Sequence, residues 1–260
     1  MSIKSAATGG APEWRIIRSM SERMETLAQG ADELGLTLTG HHLDLFETYY
    51  RELVDWNSQV NLTAITDYQE VQVKHFLDSL TLVLSLDQGL VQFARMIDVG
   101  AGAGFPGVPL KIAFPQVSLT LADSVGKKTR FLEHIVRVLE LDDVAVHTGR
   151  AEALAHQAEL REGFDLALVR GVARLPVLLE YTLPFCRVGG RVVAWKHGGI
   201  QQELADGERT APALGGKLGE VCPVEAPGLT DDRVLVVVNK VEPTPDRFPR
   251  RPGIPAKRPL

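Results

Sequence analysis

From Arg95 onward the chain alternates short apolar runs with stretches of helical spacing. The runs span 96–99, 117–123, 144–148, 164–169 and 191–196, and the spacing predicts helices near 106–114, 127–140, 151–161, 173–186 and 199–206. Strand–helix alternation of this kind implies a parallel sheet covered by helices on both faces. Two more strand runs, 216–224 and 233–241, follow with Gly, Pro and Asp between them and no helix. They are expected to pair antiparallel at one edge. Five parallel strands closed by a hairpin depart from the plain dinucleotide-binding sheet.

Before Arg95 the apolar spacing is helical. Trp14, Ile17, Met20, Met24 and Leu27 recur at three and four residues, which predicts a helix from Trp14 to Leu34. Thr39 is placed to N-cap a second helix with Leu43, Phe46, Tyr50 and Val54 on one face. Residues 57–67 break it, because Asn, Ser and Thr side chains satisfy turn backbone. A third helix then carries Val73, Phe76, Leu77, Leu80 and Leu84. The chain divides into a disordered start (1–12), a helical extension (13–90), an α/β domain (91–241) and a Pro-rich tail (242–260).

With 260 residues, 45% hydrophobic and 23% charged, the chain can bury a sizeable core as an ordinary soluble protein. No run approaches the ~18 apolar residues of a membrane span, and the start lacks a secretory h-region. Cys186 and Cys222 stand far apart, outside any metal-ligand spacing, which points to a reducing, cytoplasmic setting with no metal. The net charge of −5 conceals an asymmetry. Arg247, Arg250, Arg251, Lys257 and Arg258 crowd the last fourteen residues without an acid, so the remainder carries −10. A basic arm on an acidic body suits a local anionic partner, although a solvated tail has the same composition.

The chemistry concentrates in Asp98–Gly107, DVGAGAGFPG. Gly102–Gly107 fits G-x-G-x-x-G, and Gly100–Gly104 fits G-x-G-x-G with Asp98 two residues ahead. Strand, glycine turn and helix start follow in order, at the carboxyl end of the first parallel strand, where such sheets bind ligands. Asp123 ends the next strand 21 residues beyond Gly102 and suits a ribose in either ligand; it also suits a helix N-cap. Three features favour S-adenosylmethionine over a dinucleotide. Asp98 can organise the loop and a cationic methionyl end; Pro106 removes a helix N–H that a pyrophosphate would use; and the closing hairpin matches a seven-stranded methyltransferase sheet.

Several acceptors are excluded. Val169–Leu175 holds no Asn/Asp-Pro-Pro-aromatic segment for exocyclic amines, and no cysteine nucleophile for carbon-5 of cytosine stands there. The blocks NLTAI, KHFLDSL, DVGAGAGFPGVPLKI, DSVGKKTRFL, GRAE, VRGVA and PRRPGIPAKRPL, in that order from about residue 40, resemble the bacterial RsmG (GidB) family. Its members are small-subunit (16S) ribosomal RNA guanine-N7 methyltransferases. The resemblance implies a class I methyltransferase fold, S-adenosylmethionine as donor, and 16S rRNA or the small subunit as partner. It implies donor contacts at Gly100, Phe105, Asp123, Ala151 and Glu152, and Arg170 near the methionyl end; Gly102, Gly104 and Ser124 join them from the loop and its neighbour. Guanine N7 carries a lone pair and no proton, so the chemistry needs alignment rather than a base.

Arg170 and Lys196 follow the fourth and fifth strands and are candidates to hold RNA phosphate or the guanine O6 edge; surface salt bridges are the alternative. Arg250, Arg251, Lys257 and Arg258 are candidate phosphate contacts. Asn61 could cap or shape a lid over the donor. His75 and Asp78 share a helix face and serve more readily as a link between extension and sheet than as catalysts. A monomer is expected. Two other functions remain open on sequence: a non-catalytic RNA-binding assembly factor, and a nicotinamide-dependent dehydrogenase.

Overall fold

A computed structural model describes residues 24–86, 89, 91, 94–171 and 173–260. The disordered start expected for 1–12, and the first half of the helix expected from Trp14, lie outside the described residues. That helix is described as α1, Glu25–Glu33.

Seven strands form one sheet in the order β3-β2-β1-β4-β5-β7-β6. They are β1 (Arg95–Val99), β2 (Ser118–Asp123), β3 (Val144–Thr148), β4 (Phe164–Arg170), β5 (Cys186–His197), β6 (Gly216–Pro223) and β7 (Arg233–Lys240). The first five are parallel, and β7 runs against both β5 and β6. The hairpin expectation therefore holds, with the later strand on the inside.

Alternation along each central strand sorts the side chains into two cores. Met96, Leu119, Leu121, Leu166, Leu168, Val193 and Trp195 face one side with the N-terminal helices. Ile97, Ala122, Ala167, Val169, Val192 and Ala194 face the other. Helices α5 (Gly107–Ala113) and α6 (Gly126–Val138) belong to the first side; α7 (Ala151–Leu154) and α8 (Leu175–Thr182) to the second; α9 (Gln201–Thr210) packs on α8.

In the extension, α2 (Gly40–Val60) starts as expected. The Thr39 side chain accepts from His42 N–H, and the His42 ring accepts from Thr39 N–H, a reciprocal cap. Its inner face differs by one step. Phe46, Tyr49, Tyr50 and Leu53 are buried, whereas Leu43 and Val54 sit at the rim.

The third helix is not one regular helix. Tyr68–Val71 (α3) runs into a π turn, Gln72–Leu77, then Asp78–Leu80 (α4) and a 3₁₀ turn, Thr81–Leu84. A π turn inserts extra backbone and resets the helical register. Gln72, His75, Phe76 and Asp78 are all buried. Each polar member has a partner: Gln72 Oε1 accepts from Leu27 N–H, and Asp78 meets Arg170 of β4 at 2.8 Å and Arg233 of β7 at 2.7 Å. Trp195 Nε1 of β5 donates to the Asp78 carbonyl at 2.9 Å.

The tail is not a solvated arm. Phe248 is buried in the second core, and the Arg161 guanidinium donates to the carbonyls of Thr244 and Phe248. The chain ends in a short helix, α10 (Ile254–Lys257), with Pro255 buried.

Asp78 is 1% exposed and balances two guanidiniums. Asp78→Ala leaves both cations without their carboxylate and is expected to cost about 3–5 kcal/mol in urea unfolding. A loss below about 1 kcal/mol would show that the pair does not tie extension to sheet.

Candidate active site

The glycine loop is built from below. Gly100 and Ala101 donate their N–H groups to the Ala122 carbonyl, which fixes the loop against the end of β2. Gly102 N–H donates to Asp123 Oδ2 at 2.9 Å, and Val125 N–H donates to Asp123 Oδ1 at 2.8 Å. Gly104 has φ +98°, and a Cβ there would stand 2.7 Å from both the Tyr49 hydroxyl and Val108 Cγ2. Only glycine meets both demands. The Tyr49 hydroxyl donates to the Ala103 carbonyl, so α2 holds the loop directly.

Asp98 supports the same loop from the sheet. It has no exposure; its Oδ2 accepts from Gly107 N–H at 2.8 Å, while its Oδ1 has no partner. Burial is the main cause that pushes its pKa up to about 7, against the pull of the Gly107 N–H and Arg170.

An aromatic stack covers the loop's far side. His75 stacks on Phe105 with ring centres 4.4 Å apart, and the Arg170 guanidinium lies 5.1 Å from the Phe105 centroid. His75 Nε2 pairs with the Thr63 hydroxyl at 2.8 Å, and Arg170 faces His75 Nδ1 at 3.2 Å. Burial, and then the Arg170 charge, lower the His75 pKa to about 3, so the ring is neutral at physiological pH.

These elements enclose a cleft of about 410 Å³ at the carboxyl ends of β1, β2 and β4. Gly100, Gly102, Phe105, Asp123, Ser124, Ala151, Glu152 and Arg170 all line it. Asp98 and Gly104 do not; they hold the loop from behind. Lys196 also stands off the wall: its Nζ pairs with Glu203 at 2.7 Å and donates to the Ala173 carbonyl at 3.1 Å. Arg250 is committed to Glu180 at 2.6 Å, so its charge is not free for phosphate. Arg251, Lys257 and Arg258 are exposed. Asn61 is the left-handed C-cap of α2, and its neighbours Leu62 and Thr63 line the cleft.

Thr63, Lys128, Arg150 and Tyr181 line the cleft without having been singled out, and Tyr49 supports it from beneath. Thr63 sits inside the NLTAI block, Lys128 inside DSVGKKTRFL and Arg150 inside GRAE, which is the signal the sequence offered for them. Tyr49 reads only as one more apolar helix position.

The sheet order, the glycine turn and the cleft at its end define a class I methyltransferase. Solved structures share the fold: a putative O-methyltransferase from Klebsiella pneumoniae superposes with TM-score 0.52 at 14% identity, covering 75% of this chain and 90% of that one. The sequence comparison is narrower. The family described as "GidB: rRNA small subunit methyltransferase G" matches residues 42–227. Ribosomal RNA small subunit methyltransferase G of Dehalococcoides mccartyi (strain CBDB1) is 48% identical over 237 residues, 91% of this chain and all of that protein. The protein of that name from Roseiflexus castenholzii is 48% identical over the same shares, and that from Lachnoclostridium phytofermentans 43%, over 90% and 96%. The chain belongs to the rRNA small subunit methyltransferase G family. It is an enzyme, a methyltransferase. Among the described residues no helix is long and apolar enough to cross a membrane.

The raised Asp98 pKa has a sign. The unfolded carboxyl ionises near 3.8 and the folded one near 7, so the folded apoprotein loses stability as pH rises from about 4 to about 7. Asp98→Asn removes that titration. Its unfolding free energy relative to wild type should rise across the same window and level off above it. A pH-independent difference would mean that Asp98 is ionised throughout.

Proposed function

We propose that the chain transfers the methyl group of S-adenosylmethionine to N7 of a guanine in 16S ribosomal RNA, by direct in-line displacement. The observation that carries this is the distribution of acids around the cleft. Its two lining carboxylates, Asp123 and Glu152, belong to the β2–β3 side, and each is already engaged by backbone N–H groups. The β4 side offers Thr63, a neutral His75 and Arg170 held by Asp78. Among the described residues, no group there is free to take a proton. An acceptor with an in-plane lone pair and no proton fits such a wall.

The residues fit the donor. Asp123 is oriented by two N–H groups, and each of its oxygens keeps a lone pair for a ribose hydroxyl. Ala151, Val125 and Tyr181 offer apolar contact to a base, with Glu152 and Ser124 at its edge. The buried, unpartnered Asp98 Oδ1 lies under the loop, where a cationic ligand lowers the cost of its ionisation. The bound donor supplies an electrophilic sulfonium methyl. The chain's part is alignment: Phe105, stacked on His75 and faced by Arg170, sets the position of the loop, and Thr63 and Arg170 face the incoming base. Arg170 suits guanine O6 rather than N7, because a donor on N7 would occupy the nucleophile's lone pair.

For the RNA backbone the tail offers the exposed cations Arg251, Lys257 and Arg258. Lys196 and Arg250 are assigned no phosphate, since acids already neutralise them.

The deciding experiment is mass-spectrometric mapping of methylated guanines after incubating the protein and donor with small-subunit RNA and with particles. Methylation at N7 of one guanine is expected; methyl on another atom, or none, overturns the reading. Replacing Arg251, Lys257 and Arg258 together by Ala should lower the slope of log affinity against log salt by up to about 2 to 3. An unchanged slope would remove the tail from the RNA interface.

A further inference from the structure

The C-terminal segment reaches the cleft from outside. Gly253 N–H donates to Glu152 Oε1 at 2.8 Å, and Glu152 is 2% exposed and lines the cleft. Three residues earlier, Arg250 is fastened to the Glu180 carboxylate three ways: by its backbone N–H at 2.8 Å, by Nε at 2.9 Å and by its terminal nitrogen at 2.6 Å. Glu180 is 1% exposed and directly precedes Tyr181, another residue of the cleft wall. His156, two residues beyond α7, holds the Pro249 carbonyl at 2.9 Å. The segment therefore touches both helices, α7 and α8, that supply this side of the cleft.

We propose that this segment is a working part of the donor site: Gly253 N–H positions the Glu152 carboxylate, and the Arg250–Glu180 pair fixes where Gly253 stands. This rests on the reading above that Glu152 faces the adenosine end of the donor. The physical argument concerns a buried acceptor. A carboxylate has several acceptor directions, and a backbone N–H at hydrogen-bond distance selects among them. With Oε1 held by Gly253, the remaining directions of Glu152 are fixed relative to the cleft. Remove the N–H and a buried carboxylate loses its partner, so its geometry toward the ligand is no longer set. Gly253 adopts φ +82°, the left-handed conformation that glycine tolerates and that starts α10 immediately after the contact. Glu152 touches the ligand; Gly253 and Arg250 act through it and are positioning residues.

Two variants test this with the full chain as reference. In E180Q/R250M the new amide still accepts from the residue-250 N–H, while the ion pair is gone; replacing both partners avoids a stranded buried charge. The second variant ends at Pro252, which removes the Gly253 N–H and leaves the Arg250 anchor. Binding of S-adenosylhomocysteine is measured by calorimetry without RNA, and folding by circular dichroism. Both variants are expected to keep their fold and to bind about ten-fold more weakly. In methylation assays, E180Q/R250M should raise KM for the donor with kcat at saturating donor within about two-fold, which general destabilisation would not produce. If truncation prevents folding, E180Q/R250M decides alone. Asp123→Asn is the control for the reading beneath. Full affinity in the tail variants with weakened binding in Asp123→Asn overturns the role of the tail only. Full affinity in all three removes the donor from this end of the cleft.

Discussion

One buried carboxylate fixes the relation between the two halves of this molecule. Asp78 comes from the extension, and its partners Arg170 and Arg233 come from β4 and β7. An unpaired carboxylate at that depth would be costly, and so would either guanidinium facing an apolar wall. Their mutual satisfaction requires α4 to lie over β4, β5 and β7 in one register. A π turn, Gln72–Leu77, precedes α4 and shifts the register in which it meets the sheet. Arg170 then has one guanidinium edge on Asp78 and its face toward Phe105. The charge balance of the junction thus becomes the geometry of the cleft wall.

The glycine loop depends on the same docking. Its N–H groups are bound by Ala122 and Asp123, and its Ala103 carbonyl by the Tyr49 hydroxyl of α2. Tyr49 also stacks with Phe76 and lies 5.5 Å from Phe105, so extension and loop share one aromatic cluster. The extension is therefore not an appendage that could be removed while leaving a competent cleft. Asp98 adds an opposing element. It supports Gly107 N–H, yet ionising it without a ligand is unfavourable in the dry space beneath the loop. A site whose ionisation is unfavourable when empty and eased by a bound cation has affinity built into its resting strain.

The sheet was readable from sequence because its evidence is periodic and local: β-branched runs, helical spacing between them, and a hairpin without a helix. The loop residues on the cleft wall were readable because strand, glycine turn and acid occur in a fixed order. What failed were inferences about where long side chains end. Lys196 read as an RNA contact with a surface salt bridge as its alternative, and Arg250 as a phosphate contact; Glu203, a few residues on in α9, and Glu180, far away in α8, pair with them. The tail read as solvated because Pro and Arg dominate it; Phe248 and Pro255, two ordinary residues, bury it. The third helix read as regular because apolar spacing does not register a π turn. Tyr49 was invisible for a related reason: its function lies in one hydroxyl at the end of an otherwise apolar side chain.

The absence of an acid–base pair bears on how such a site can be selective. Where a proton must move, the position of a base discriminates among acceptors. Here the cleft contributes a neutral histidine, a threonine, and an arginine already balanced by Asp78. Discrimination then falls to shape and to hydrogen bonds at the base edge, both of which tighten with the rigidity of the wall. Arg170 is rigid because Asp78, His75 and Phe105 surround it; a freely solvated arginine could reach O6 and N7 alike and protect the nucleophile it should present. The buried ion pair is weak evidence for stability in itself. Its stronger consequence is that the same contact which docks the extension also restricts where a guanidinium can point, so under the proposed role of Arg170 a single charge sets both fold and acceptor selection.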